Sequence, residues 1–333
     1  MENDLTVVRD SILLQQLVLV DGLPCSGKAV LDVAVSSMDR VELLQFATQI
    51  ERICVLKDFG KITSDVAETM IKLEADLVLY NTMMSRNVNF RVSDQSSVFK
   101  DPKFWVYIKR LFAKGDRLIP DKIEKERPIL HFMTHSMLSL SEPIFNSFGD
   151  KVVIIEIVRH PMSMLEMQTN YEKRWATHEG KLQEVADIFL RYKDDSIPHW
   201  AAGCEELYYK SNPVERAIYV THYQLEKIKL FKNKFRKIYE SQCITIPFEK
   251  FVVDPWPYME KIETLLKTSI TRKTKKMLKK AKVPRNNTGL EAHELTKNRN
   301  FAIQNGASED ALRVLDQISE HYVAKYDLYD QRQ

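Results

Sequence analysis

Leu17-Val-Leu-Val-Asp-Gly-Leu-Pro-Cys-Ser-Gly-Lys-Ala-Val-Leu31 passes from an apolar run through a loop with two glycines into a helix start. Leu17 to Val20 is short, apolar and bounded by Asp21-Gly22, Pro24 and Gly27, which predicts a buried strand entering a tight loop. Lys28 to Met38 then reads as a helix. Such a loop aims successive N–H groups and the positive end of a helix at one point, and its glycines let an anion approach with no Cβ in the way. Lys28 adds a full charge there.

Further strands are expected at Pro128 to Met133, Val152 to Val158 and Ile244 to Phe248, the second a β-branched run suited to the centre of a parallel sheet. Helical patterns lie between them, notably Asp65 to Met84 and Pro102 to Phe112. Asn212-Pro213-Val214-Glu215 combines an N-cap, a proline at the first helical position and a reciprocating carboxylate, opening a long helix towards Phe235. Thr271 to Lys282 reads as a basic helix and Ser308 to Tyr326 as an amphipathic one. The alternation predicts an α/β fold: a P-loop-type three-layer α/β/α domain with a central parallel sheet and a large helical complement. With no repeat or composition break, residues 1–333 are expected to form one domain, with a mainly helical insertion at about 60–125 and a helical C-terminal third.

The 49 Lys and Arg against 46 Asp and Glu are too nearly balanced for a general nucleic-acid binder, so a basic site must be local. Cys25, Cys54, Cys204 and Cys243 are widely spaced, which indicates neither a zinc site nor a disulfide framework and suits a reducing compartment. The acidic start Met1-Glu-Asn-Asp and the short apolar run Leu13 to Val20 argue against a signal peptide and membrane insertion, so a cytoplasmic location is expected.

Gly22-x-x-x-x-Gly27-Lys28 meets the nucleotide-triphosphatase pattern up to Ala29, which replaces the Ser or Thr that holds magnesium. Phosphoryl transfer relies on that metal, so a kinase or NTPase using Lys28 is the lesser enzymatic alternative. A sulfuryl group carries less negative charge, and fixed donors at the bridging oxygen suffice to stabilise the departing phosphate.

Gly22-Leu-Pro-Cys-Ser-Gly-Lys-Ala29 resembles the first nucleotide motif of sulfotransferases, glycine-x-proline-basic-serine-glycine-threonine-threonine. Pro24, Ser26 and Gly27 match, Cys25 stands where the family places a basic residue, and Lys28 and Ala29 stand where it places two hydroxyls. The resemblance implies that Gly22, Pro24, Cys25, Ser26, Gly27, Lys28 and Ala29 cradle the 5′-phosphate of 3′-phosphoadenosine 5′-phosphosulfate, with Lys28 supplying the charge missing at Cys25. Val152-Val-Ile-Ile-Glu-Ile-Val-Arg-His-Pro161 delivers an arginine to the sheet edge where ligands bind. It resembles the family's second motif, which implies that Arg159 grips the donor's 3′-phosphate with its planar fork. The family's second ligand on this helix falls on Met167 here, leaving Thr169 or Ser163 as substitutes.

Leu130-His-Phe-Met-Thr-His-Ser136 carries two histidines that share a side if the strand stays regular to His135. Thr134-His135 resembles the family's lysine-threonine-histidine segment, with Met133 in place of the lysine, which implies that His135 is the general base on an acceptor hydroxyl or amine. His131 and Glu166 are the reserve candidates. Ile246-Pro-Phe-Glu-Lys-Phe-Val-Val-Asp-Pro255 resembles a fold-organising segment of the same family.

The eight cations between Arg272 and Arg285 read as a solvated face, as a border to the 3′-phosphate at Lys282 to Arg285, or as a site for a polyanionic acceptor. Ser85 to Gln95 reads as a polar loop whose Arg86, Asn89 and Arg91 either line an acceptor pocket or lie on the surface. His178, His199, His222, His293 and His321 lack metal-ligand spacing and are expected to be structural. The expected function is sulfuryl transfer to a small molecule or carbohydrate without a metal. The non-enzymatic alternative is a degenerate nucleotide- or glycan-binding module, which Cys25 and Met167 keep open.

Overall fold

The computed structural model describes residues 5–113, 115–175 and 188–328. Its strands are β1 (Gln16–Asp21), β2 (Gln45–Phe46), β3 (Ile129–Met133), β4 (Val152–Val158), β5 (Phe189–Tyr192), β6 (Asp195–Pro198) and β7 (Cys243–Pro247). Five of them form a parallel sheet in the order β2-β3-β1-β4-β7, while β5 and β6 pair as an antiparallel hairpin. The helices used below are α1 (Lys28–Ser36), α2 (Thr48–Asp58), α3 (Ser64–Met83), α4 (Phe104–Leu111), α5 (Pro161–Trp175), α6 (Pro213–Lys234), α7 (Phe248–Val253), α8 (Arg272–Lys280) and α9 (Glu309–Lys325).

The sheet is buried on both faces, which explains why its strands read as continuous apolar runs. Leu17, Leu19, Leu130, Phe132 and Ile154 pack under α2, α3 and the far end of α6. Val18, Val20, Ile129, Ile155 and Ile246 alternate with them and pack under α1, α7, α8 and the helix Trp256–Leu266. A third cluster joins α5, the start of α6 and α9, so these helices extend the structure beyond the three layers. The chain is thus a three-layer α/β/α structure of the P-loop type.

The Asn212 cap is formed as its sequence demands: its side chain accepts the Val214 and Glu215 amides, and Glu215 returns to the Asn212 amide. Between β2 and β3 the chain contains α3, α4 and the helix Ile119–Glu126. Among the described residues no helix is long and apolar enough to cross a membrane. His178 lies outside the described residues.

Candidate active site

Because β1, β3, β4 and β7 are parallel, their carboxyl ends share one edge. β1 lies between β3 and β4, and the chain reaches one neighbour and then crosses to the other; ligands in open α/β sheets occupy the crevice at such a reversal. A cavity of about 630 Å³ opens there, bounded by the β1–α1 loop, the ends of β3 and β4, α2, α5 and α6.

The loop holds Cys25 at φ 69° and Gly27 at φ 101°. Gly27 is obligatory twice over, since a Cβ there would also stand 2.4 Å from Cδ2 of Phe248. The Lys28 and Ala29 amides head α1, where helix geometry leaves N–H groups without intrahelical acceptors. Lys28 reaches back to donate to the carbonyls of Gly22 (2.7 Å) and Leu23 (3.0 Å). Burial presses its pKa below the ordinary value, against the pull of Asp21 and Asp32. Of the expected donor-binding residues, Pro24, Cys25, Gly27, Lys28, Ala29 and Arg159 line the cavity; Gly22 and Ser26 do not. The Cys25 thiol is held up by burial, so the position usually basic in sulfotransferases carries a neutral group.

Arg159 follows β4 and turns towards the loop, donating to the Cys25 carbonyl (3.2 Å) with its guanidinium 4.7 Å over the Phe248 ring. Arg285 stands 5.5 Å from the centre of the same ring. Burial is the main influence lowering the Arg159 pKa; Glu249 opposes it and the Arg285 charge adds to it. Two cations thus meet on one ring, an arrangement suited to an anion, and the substitutes that the sequence offered for the family's second ligand are Ser163 and Thr169. Neither of those lines the cavity, whereas Met167 does. Glu249 sets the backbone here by accepting the His160 amide (3.0 Å) and the Tyr322 hydroxyl (2.5 Å), which ties α9 to the end of β4.

His135 lies across the cavity, past the end of β3. Glu51 on α2 accepts its backbone N–H (2.7 Å) and its Nδ1–H (3.2 Å), and Phe46 stacks on the ring. A carboxylate can only accept, so it fixes the proton on Nδ1 and leaves Nε2 as the basic nitrogen. Asp21 holds the same loop from beneath, accepting the Thr134 hydroxyl (2.9 Å) and the amides of Met137 (2.9 Å) and Leu138 (2.8 Å).

The strand does not stay regular to His135, so the two histidines part. His131 is fully buried on the α1 side, 3.2 Å from Asp32, and Glu166 is exposed outside the cavity, so neither reserve base stands there. Arg86 pairs with Asp116 beyond the loop, Asn89 and Arg91 engage Asp94 within it, and of this loop only Gln95 reaches the cavity.

The wall opposite the β1–α1 loop comes from α5, α6 and the segment after β6. Gln168 bridges the halves, donating to the Pro24 carbonyl (3.1 Å) and accepting the Thr221 hydroxyl (3.1 Å). Glu172, Trp200, Lys227 and His199 also line this wall; His199 therefore belongs to the cavity rather than only to the scaffold. Burial lowers the His199 pKa and raises that of Glu172, whose carboxyl accepts the Tyr208 hydroxyl (2.6 Å). Among the described residues no cluster of three or more His, Cys, Asp or Glu has metal-holding geometry.

No family model matches the sequence, and no curated protein matches it. The solved structures to which the chain is similar include sulfotransferases. They include the sulfotransferase domain from the curacin biosynthetic pathway (TM-score 0.47, 12% identity, 94% of this chain and 98% of that one). They also include sulfotransferase STF9 from Mycobacterium avium (TM-score 0.46, 12% identity, 95% and 77%) and the sulfotransferase domain of the Synechococcus PCC 7002 olefin synthase (TM-score 0.44, 12% identity, 96% and 98%).

Proposed function

We propose that the chain transfers a sulfuryl group from 3′-phosphoadenosine 5′-phosphosulfate to the hydroxyl of a small-molecule or carbohydrate acceptor. One observation carries the reading: an anion loop without a metal-holding hydroxyl, the Arg159–Arg285 pair and a carboxylate-oriented His135 all converge on one sheet edge. The loop and the head of α1 receive the donor's 5′-phosphate, and Arg159 with Arg285 receives its 3′-phosphate.

His135 Nε2 takes the acceptor proton as the acceptor oxygen bonds to sulfur, while the bond from sulfur to the bridging phosphate oxygen breaks. The departing phosphate gains charge at the head of α1, where Lys28 exchanges its loop carbonyls for a phosphate oxygen. The products are a sulfate ester and 3′-phosphoadenosine 5′-phosphate; an amine acceptor follows the same course.

The test is calorimetric titration with 3′-phosphoadenosine 5′-phosphate without magnesium, beside ATP with magnesium. The bisphosphate is expected to bind, and Arg159→Ala to weaken it about 10- to 100-fold through loss of charge-assisted hydrogen bonds. Binding of magnesium-ATP alone would overturn the reading and make Lys28 a kinase-type lysine.

A further inference from the structure

On α8, Thr274, Met277 and Leu278 face inward, while Arg272, Lys273, Lys275, Lys276, Lys279 and Lys280 are exposed. Among the described residues none of these six cations pairs with a carboxylate; Lys275 instead stands 5.7 Å from the centre of the Trp256 ring. The start of α8 meets the start of α4 at the turn after α1. The Thr271 hydroxyl that caps α8 donates to the Ser37 carbonyl (2.9 Å), and Lys103, just before α4, donates to the carbonyls of Met38 (3.1 Å) and Val41.

From that junction a row of rings runs outward: Phe104 to Trp105 (4.6 Å), Phe104 to Phe99 (6.3 Å) and Phe99 to Phe90 (6.1 Å). Trp105 is 63% exposed and Phe99 46%, beside the exposed Val106, Lys100 and Lys109. A soluble polyanion would use the lysines and leave the ring tips in water. An anionic bilayer uses both, with headgroups against the cations and the interfacial zone around the aromatic side chains.

We propose that α8 and the Phe90–Trp105 aromatic row form a docking surface for an anionic lipid bilayer, on which the protein adsorbs without spanning. The surface does not depend on the sulfuryl-transfer reading, because none of its residues belongs to the donor or base sites.

The experiment is co-sedimentation of the full chain with vesicles of phosphatidylcholine alone and of phosphatidylcholine with phosphatidylserine, at low and high salt. Binding is expected only with phosphatidylserine, weakening as salt rises. Each cation near such a surface contributes about fivefold, so joint Lys275→Gln, Lys276→Gln, Lys279→Gln and Lys280→Gln substitution is expected to cost roughly 100-fold or more. Trp105→Ala with Phe99→Ala is expected to cost about tenfold through lost apolar burial. The idea fails if wild type ignores phosphatidylserine, or if the glutamine variant keeps its thermal melt and binds as well as wild type. It fails equally if the chain binds heparin but no vesicle, which would assign the face to soluble polyanions.

Discussion

Gly27→Ala concentrates the logic of the donor loop in one methyl group. At φ 101° an L side chain costs about 1–2 kcal/mol, and the new Cβ would stand 2.4 Å and 2.5 Å from two carbons of Phe248, where normal contact is roughly 3.5 Å or more. The ring must retreat by about 1 Å, and overpacking of that kind costs about 1–3 kcal/mol. A total of roughly 2–5 kcal/mol is a large share of the stability of an ordinary domain, but it does not unfold one of average stability. Arg159 and Arg285 both rest on that ring, at 4.7 Å and 5.5 Å, so the retreat moves the pair of cations. Bisphosphate affinity should fall about 10- to 100-fold in calorimetry, alongside a lower urea midpoint. Adding Phe248→Leu to Gly27→Ala should recover part of the midpoint but not the affinity, since the platform under the arginines is gone. Wild-type affinity and midpoint in Gly27→Ala would refute the coupling of loop, ring and cations.

Glu51→Gln should release the proton from Nδ1 of His135, seen as altered ring-nitrogen NMR shifts, and lower turnover about 10- to 100-fold with little change in donor affinity; unchanged ring shifts would show that Glu51 does not set the tautomer. Asp21→Ala strands the Thr134 hydroxyl and two buried amides and should cost about 3 kcal/mol or more by urea unfolding, whereas a loss under about 1 kcal/mol would mean that the loop finds other partners. His160 is kept neutral by burial, its pKa lowered to about 4 from 6.5, so the unfolded chain takes up its proton first as pH falls. The stability it contributes is full above pH 6.5 and is lost as pH falls from 6.5 towards 4, by roughly 3 kcal/mol. Urea midpoints across that range should converge for wild type and His160→Gln at the acid end, and parallel curves would rule the residue out.

What was legible in the sequence was local in origin. Val152 to Val158 is a strand from end to end because its β-branched run is buried on both faces, and a strand that ends at the sheet edge places Arg159 there. The Asn212 box needs only residues three positions apart. Glu51 was not legible, because it stands 84 residues from His135 and becomes its partner only when α2 packs beside the end of β3. His199 and Glu172 were hidden in the same way. The pairing of His131 with His135 failed because β3 ends at Met133, two residues before His135, after which strand alternation has no force. β2, two residues long, is too short to show a period at all.

Asp21 sits at the end of the strand that opens the donor loop, yet its carboxylate secures the segment that carries His135. In the proposed reaction the base is therefore positioned from the phosphate loop, whereas the facing wall is built from α5, α6 and the segment after β6. Changes confined to the part of that wall after β6 leave both the Asp21 contacts and the Gln168 bridge to the Pro24 carbonyl intact. Under the proposed reaction, that stretch is where acceptor preference can change without disturbing the reacting groups.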